Sequence, residues 1–231
     1  MKRKDSFLVF FLSLAVLCAA LGVWQVKRYH YKNELNATFL TSKKQPILYQ
    51  GQALESFKIY QFTGYLAKQG LIKFVERPYH GEMVHFIYTV LQTEFGQNFV
   101  LELGYIAKDQ QINITALEKL RGAKLSLKIL GRKTGKSNFF TPENNPENNQ
   151  WYYVEPQKFA EFFAVPLVSD FYLQLAKSDN ILLPEKFKSR ELREINNPHL
   201  KYIFFWFTIT LMIVFLSLNY YRKNFETRTT T

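Results

Sequence analysis

Residues Ile195 to Lys223 read INNPHLKYIFFWFTITLMIVFLSLNYYRK, and this stretch decides the architecture. From Tyr202 to Tyr221 about 20 residues carry no charge, with Thr208, Thr210, Ser217 and Asn219 as the polar interruptions. At roughly 1.5 Å per helical residue, that length matches the ~30 Å hydrocarbon layer of a bilayer. Asn is a preferred helix cap and Pro a preferred first helical residue, so Asn197 and Pro198 predict the helix start and place His199 in its first turn. His199, Tyr202 and Trp206 then follow at i, i+3 and i+7 and share one face. An ionisable group at a membrane edge is costly when idle, which makes a functional role the default reading of His199.

A second apolar run lies near the other end. Ser6 to Trp24 reads SFLVFFLSLAVLCAALGVW, about 19 residues without a charge. A cleaved signal peptide is the rival reading, because Lys2, Arg3 and Lys4 form a basic lead and Cys18-Ala19-Ala20 offers small residues for cleavage. The length of the run and the presence of a partner span favour retention, and bulky Leu17 before Cys18 argues against a lipoprotein. Gln25 and Arg28 stand at the end of this span, and Gly22 allows another helix to come close. Basic residues flank both outer ends, Lys2 to Lys4 and then Arg222, Lys223 and Arg228, so both tails are expected in the cytoplasm. Lys27, Arg28 and Lys32 run against this, but long loops translocate largely regardless of charge. The expected organisation is a cytoplasmic tail over 1–5, a transmembrane helix over 6–26, and a periplasmic or intermembrane domain over 27–197. A second transmembrane helix over 198–221 and a tail over 222–231 complete a multi-pass inner (cell) membrane protein.

The body between the spans alternates as strands do. In KLSLKILGR, Leu125, Leu127 and Ile129 point one way; in NFVLELGYI, Phe99, Leu101, Leu103 and Tyr105 form one face. Further strands are expected at Phe57 to Leu66, Leu71 to Glu76, His85 to Gln92, Gln150 to Val154 and Asp170 to Ala176. EFGQ marks a tight hairpin, TPENNPENNQ a loop, and Pro156 to Phe163 a short helix with Pro in its first turn. The fold class is a membrane protein with two transmembrane α-helices flanking a β-rich (α+β) extracytoplasmic domain, its antiparallel sheet closing toward a barrel or sandwich.

Composition removes several functions. The chain has 231 residues, 47% apolar, and a formal charge of +11 spread without basic runs or nucleic-acid motifs, so nucleic-acid binding is a weak reading and much of the excess reads as an ordinary solvated surface, with membrane lipids expected as partners of the two spans. The lone Cys18 leaves no intrachain disulfide and no Cys-rich metal site. GRKTGKS, Gly131 to Ser137, is one residue short of a phosphate loop and leads into NFFTPENN instead of a helix. His30, His80, His85 and His199 lack the helical spacing of a zinc protease, and Glu76, Glu82, Glu102 and Glu155 show no pairing. Asn36-Ala-Thr and Asn113-Ile-Thr match the glycosylation pattern, which is short enough to arise by chance.

A neutral imidazole beside aromatic rings, an arginine and an apolar wall suits a haem, which takes an axial nitrogen, a cation for a propionate and an apolar surround. The plain alternative is a histidine that hydrogen-bonds the facing helix or a lipid headgroup.

Three motifs, taken in order, carry a resemblance. LGVWQVKRYHYK resembles the Gly-x-Trp-Gln-x-x-Arg end of the first membrane helix of the surfeit locus family of cytochrome c oxidase assembly proteins. FFTPENNPENNQWYYVEP is similar to that family's Phe-x-Pro-x-Asn loop, and NNPHLKYIFFWF to its Asn-Pro-His-Leu-x-Tyr start of the second helix. Where the family has Asn-Arg-Gly-Trp after its central strand, this chain has Glu102-Leu103-Gly104-Tyr105, and Glu155 stands where Asp is usual. The resemblance implies a non-enzymatic factor, a chaperone in respiratory-chain complex IV assembly that aids delivery of haem a to, or stabilises, the catalytic subunit. Its expected partners are that subunit and haem a synthase. His199 is the axial-ligand candidate for haem iron that the motif supplies, with Arg28, Trp206, Tyr202, Gln25 and Trp24 as its haem-binding neighbours. The alternatives are a membrane-anchored scaffold that never touches haem and a membrane-tethered periplasmic enzyme.

Overall fold

The computed structural model describes residues 3–67, 70–111, 121–135, 137–176 and 188–229. Two compact units divide the chain: Met1–Ala37 with Ile195–Thr231, and Thr38–Glu194.

The first unit is built from two helices. Helix α1 spans Arg3–Lys44 and helix α3 spans His199–Thr229. Segments Ser6–Lys44 and His199–Lys223 are both long and apolar enough to cross a membrane. Only 17% and 11% of their apolar windows are buried, the reverse of a soluble core helix, whose apolar residues turn inward. Ala15 and Cys18 of α1 pack with Ile213 of α3, joined by Phe11, Leu14, Trp206 and Ile209. At Gly22 an added Cβ would lie 3.0 Å from the Phe207 ring, so the close approach expected of this glycine is present. The helical run does not stop near residue 26 but continues to Lys44, and Thr38 onward counts with the second unit. There Phe39 is buried with Ile59 and Leu130, and Ser42 Oγ accepts the Ile59 N–H at 2.9 Å.

The second unit is a closed five-stranded barrel. Its strands are β2 (Ile59–Leu66), β5 (Glu82–Thr93), β6 (Asn98–Ala107), β7 (Lys124–Lys133) and β8 (Phe171–Leu175). Pairing runs β2-β7-β8-β6-β5 and returns to β2 through Gly64↔Thr93, Tyr65↔Gln92 and Leu66↔Leu91. The short strands β1 (Ile47–Leu48), β3 (Ile72–Lys73) and β4 (Arg77–Tyr79) extend its edges. Every neighbour in the ring is antiparallel except β6 and β8, because β8 arrives by a long crossover rather than a hairpin. This is the Greek-key connectivity of small barrels of the oligonucleotide- and oligosaccharide-binding type, in which closure removes open sheet edges.

Alternation places the interior. Phe62, Leu91, Phe99, Leu101, Leu103, Leu127, Ile129 and Leu173 fill the barrel, as the period-two pattern of β6 and β7 predicts. The EFGQ turn joins β5 to β6, with the Thr93 N–H donating to the Gln97 carbonyl at 2.8 Å. Tyr105 departs from its expected face. The β5–β6 register pairs Ile87 with Gly104 and Tyr88 with Glu102, so Leu103 is the extra residue of a bulge. Beyond it Ile106 takes the interior position and Tyr105 turns outward onto a second cluster.

That second cluster lies on the outer surface of β5 and β6. Trp151, Phe159 and Phe163 cover Phe74, Phe86, Tyr88 and Val90 there. Helix α2, Pro156–Phe163, supplies two of the rings; it has Pro at its first position and ends at Ala164 in the left-handed conformation. Gln150 to Val154, expected as a strand, is not one: only Gln150 bridges to Asn145. The Trp151 carbonyl accepts the Val75 N–H at 3.0 Å, and the backbone of Tyr152 and Tyr153 is met by a side chain. The buried Asn144 accepts the N–H groups of Tyr152 and Tyr153 on Oδ1 at 2.7 and 3.3 Å, and donates to the Tyr153 carbonyl and Glu155 at 3.1 and 3.0 Å.

Candidate functional site

Helix α3 starts at His199, and the residue expected to cap it does something else. Asn197 Nδ2 donates to the Tyr29 carbonyl at 3.1 Å and to Asn33 Oδ1 at 2.8 Å, while its Oδ1 has no hydrogen-bond partner among the described residues. The side chain that capping rules would turn onto α3 thus reaches across to α1. Asn36 adds a two-way bond to Ile195, accepting its N–H at 2.8 Å and donating to its carbonyl at 3.0 Å. Lys32 donates to the Asn196 carbonyl at 3.0 Å. The approach to α3 is thereby zipped along one side of α1. Both polar atoms of Asn36 are engaged, so in this fold the Asn36-Ala-Thr sequon is part of a clasp; Asn113 lies outside the described residues.

Above the clasp, His199 Nδ1 lies 2.5 Å from Gln25 Oε1. An amide oxygen only accepts, so Nδ1 carries the proton and donates, and in the neutral imidazole Nε2 keeps its lone pair. Gln25 is buried, 8% exposed. The Trp24 ring meets the imidazole edge-on, with centroids 6.3 Å apart and planes at 87°. Lys32 and Arg28 both stand within electrostatic range of the ring. The Arg28 guanidinium itself rests 5.5 Å above the Tyr31 ring.

The six sequence candidates therefore separate. His199, Gln25 and Trp24 are brought together, and Arg28 is near them. Tyr202 is 50% exposed, and among the described residues no hydrogen bond or ring contact ties it to His199. Trp206 packs deeper, against the Ala15, Cys18 and Ile213 cluster.

The barrel contributes a polar centre that sequence reasoning missed. Glu102 is fully buried, and its Oε2 accepts from the Tyr88 hydroxyl at 2.9 Å and faces Arg190 Nη1 at 3.4 Å; its Oε1 has no hydrogen-bond partner among the described residues. Burial raises the Glu102 carboxyl above its ordinary range despite the pull of Arg190, Tyr88 and Arg132, and burial likewise lifts Tyr88 well above the usual phenol range. Arg190 sits over the Phe86 and Tyr79 rings at 5.0 and 5.8 Å. A single carboxylate amid an apolar alternation was the available signal, and the partner 88 residues away in sequence was not readable.

The SURF1 family model matches residues 12–211, a range that takes in the clasp, His199 and the whole barrel. A SURF1-like protein from Dictyostelium discoideum is 23% identical over 266 aligned positions, covering 96% of this chain and 98% of that protein. The chain belongs to the SURF1 family, a family of assembly factors and not a known enzyme family, and membership implies a role in cytochrome c oxidase assembly.

Proposed function

We propose that the chain serves oxidase assembly by holding haem a at His199, for delivery to or stabilisation of the catalytic subunit. The observation that supports this reading is the Gln25–His199 hydrogen bond. Metal-bound histidines usually donate their second ring N–H to a fixed acceptor, which sets the tautomer and the ring's direction. Gln25 is such an acceptor, and it leaves Nε2 as the donor atom. When bound, haem offers iron to an axial nitrogen and propionates to cations. The residues present fit that group: Nε2 of His199 would meet the iron, Lys32 and Arg28 the propionates, and Trp24 the ring edge. No bond-making chemistry by the chain is part of this reading.

The same reading places the protein in the inner membrane with both tails cytoplasmic and the barrel on the far side. The buried packing of Ala15 and Cys18 against Ile213 supports a retained first span. A reporter fused after Thr231 is expected to be active in the cytoplasm, and periplasmic activity would overturn this topology.

A scaffold without haem is the second reading, favoured by the clasp: Asn36, Asn197 and Lys32 already lock the chain before α3 onto α1, and the Gln25–His199 bond can be read as its last member. Purification of the full chain from cells able to make haem a separates the two. Haem absorbance that travels with the protein and disappears in His199→Ala, together with failed oxidase assembly, is the expected result. A haem-free protein whose His199→Ala variant still assembles oxidase leaves the scaffold.

A further inference from the structure

In the barrel unit, a cleft of about 470 Å³ opens between the segment Val75 to Arg77 and the loop from Ser137 to Pro142, with Tyr152 and Tyr153 as its floor. That volume lies within the range of specific ligand sites, roughly 300–1,000 Å³. The Phe-x-Pro-x-Asn motif forms one wall, and its residues divide their labour. Asn144 is consumed by folding, because its side chain organises the Tyr152–Tyr153 backbone. Phe140 is not consumed: it is 89% exposed, beside Phe139 at 97%. Nor is the loop that carries these rings slack. Asn138 Oδ1 accepts the Phe140 N–H at 3.0 Å and the Thr141 hydroxyl at 2.8 Å, and the Thr141 N–H returns to the Asn138 carbonyl at 3.0 Å. An Asx turn of this kind holds the rings out in water at a hydrophobic cost that folding alone does not recover.

The polar content of the cleft selects its occupant. Glu76 is neutralised by Lys108 at 2.9 Å. Arg77, whose guanidinium lies 5.3 Å over the Phe74 ring, has no ion pair among the described residues. The cleft thus offers one unpaired guanidinium, two tyrosines and an exposed phenylalanine. We propose that it binds an extended segment of a partner polypeptide in which a carboxylate stands next to an aromatic side chain, the carboxylate on Arg77 and the ring against Phe140 and the Tyr152–Tyr153 floor. Guanidinium–carboxylate pairing is directional and charge-assisted, and aromatic rings with Arg are the usual anchors of protein interfaces. A bilayer is the poorer occupant of the same rings, because exposed Glu143 and Glu147 follow them directly and repel anionic headgroups. The proposal uses none of the residues proposed to hold haem and stands whether or not haem is held at His199.

The test uses the full chain in phosphatidylcholine nanodiscs and a fluorescein-labelled heptapeptide, Gly-Ser-Phe-Asp-Phe-Ser-Gly, read by anisotropy. Saturable binding is expected, weakened about tenfold or more when Asn replaces the peptide's Asp, and by a similar factor in Arg77→Gln and in Phe140→Ser. His199→Ala should bind the peptide as the parent does, which keeps this result independent of the haem reading. No binding by the parent, equal affinity for the two peptides, or an Arg77→Gln variant that binds unchanged overturns the proposal. So does quenching of the added fluorophore in Phe140→Trp by brominated lipid in the same nanodiscs, which would give the rings to the bilayer.

Discussion

Gln25 and His199 stand 174 residues apart in sequence and 2.5 Å apart in space, with an acceptor oxygen of one against a ring nitrogen of the other. That contact makes the histidine directional. If Nε2 is the working atom, Gln25 acts by orientation alone, and its loss should weaken ligation without abolishing it. Gln25→Leu is expected to reduce haem affinity of the full chain about 10- to 100-fold, and His199→Ala to remove the axial-ligand signature in the absorption spectrum. Titration of haem into detergent-solubilised protein measures both. An unchanged affinity in Gln25→Leu would mean that the bond serves helix packing only.

Asn36 carries the most specific part of the clasp, since its amide satisfies both the N–H and the carbonyl of Ile195. Each such bond contributes about 0.5–1.5 kcal/mol net, and two partners left unmet in a part-buried position cost somewhat more. Asn36→Ala is expected to destabilise the two-helix unit by about 2 kcal/mol, while Asn36→Asp retains the acceptor and loses less. Thermal unfolding in detergent, followed through the Trp24 and Trp206 emission, measures the difference. Equal midpoints for parent and Asn36→Ala would show that the clasp contributes nothing.

Asn144 makes the corresponding prediction in the barrel unit. Four hydrogen bonds converge on its buried amide, two of them from consecutive backbone N–H groups that no strand partner satisfies. Asn144→Ala strands those groups and is expected to cost about 2–4 kcal/mol, releasing Trp151 from its packing on Phe159. Loss of near-ultraviolet aromatic signal at lower denaturant is the readout; Asn144→Asp, which keeps the acceptor, should fall between.

The sequence made the barrel's inside legible where period two was unbroken. Leu125, Leu127 and Ile129 point inward, and Pro156 to Phe163 is helical between the residues expected. It failed at three places, each for a physical reason. At Gly104 a backbone φ of +143° and the Lys188 carbonyl, 2.5 Å from where a Cβ would sit, accompany the bulge that turns Tyr105 outward; one glycine in a strand pattern does not reveal its handedness. Near Tyr152 an aromatic run reads as strand, yet a side-chain amide from a loop takes its hydrogen bonds. At Asn197 local capping preference loses to a tertiary contact with Tyr29 and Asn33. The candidate site was legible in its types and spacing. The choice among those types was not, because whether Trp206 faces His199 or the Ala15 and Cys18 cluster depends on how the two helices pack.

Glu102 gives a pH dependence whose sign follows from its burial. The groups facing it are Arg190 and Arg132, which favour the carboxylate, and Tyr88 and Tyr172, whose own ionisation is pushed upward by burial. Desolvation outweighs the two arginines, so the folded protein holds the Glu102 proton to a higher pH than an unfolded chain, in which the group titrates near 4.5. A group raised in this way contributes stability that is complete below its unfolded value and is lost as pH rises through the folded value. Acidification from neutrality toward pH 4.5 should therefore stabilise the barrel through Glu102. Subtracting the unfolding midpoints of Glu102→Gln from those of the parent isolates the one group. That difference should favour the parent increasingly as pH falls across the window and flatten below it. Arg190→Leu removes an attraction that lowers the Glu102 value, so its window should move to higher pH. A difference curve that runs in the opposite direction would mean that Arg190 and Arg132 overcome the cost of burial and that the carboxylate is the stable form.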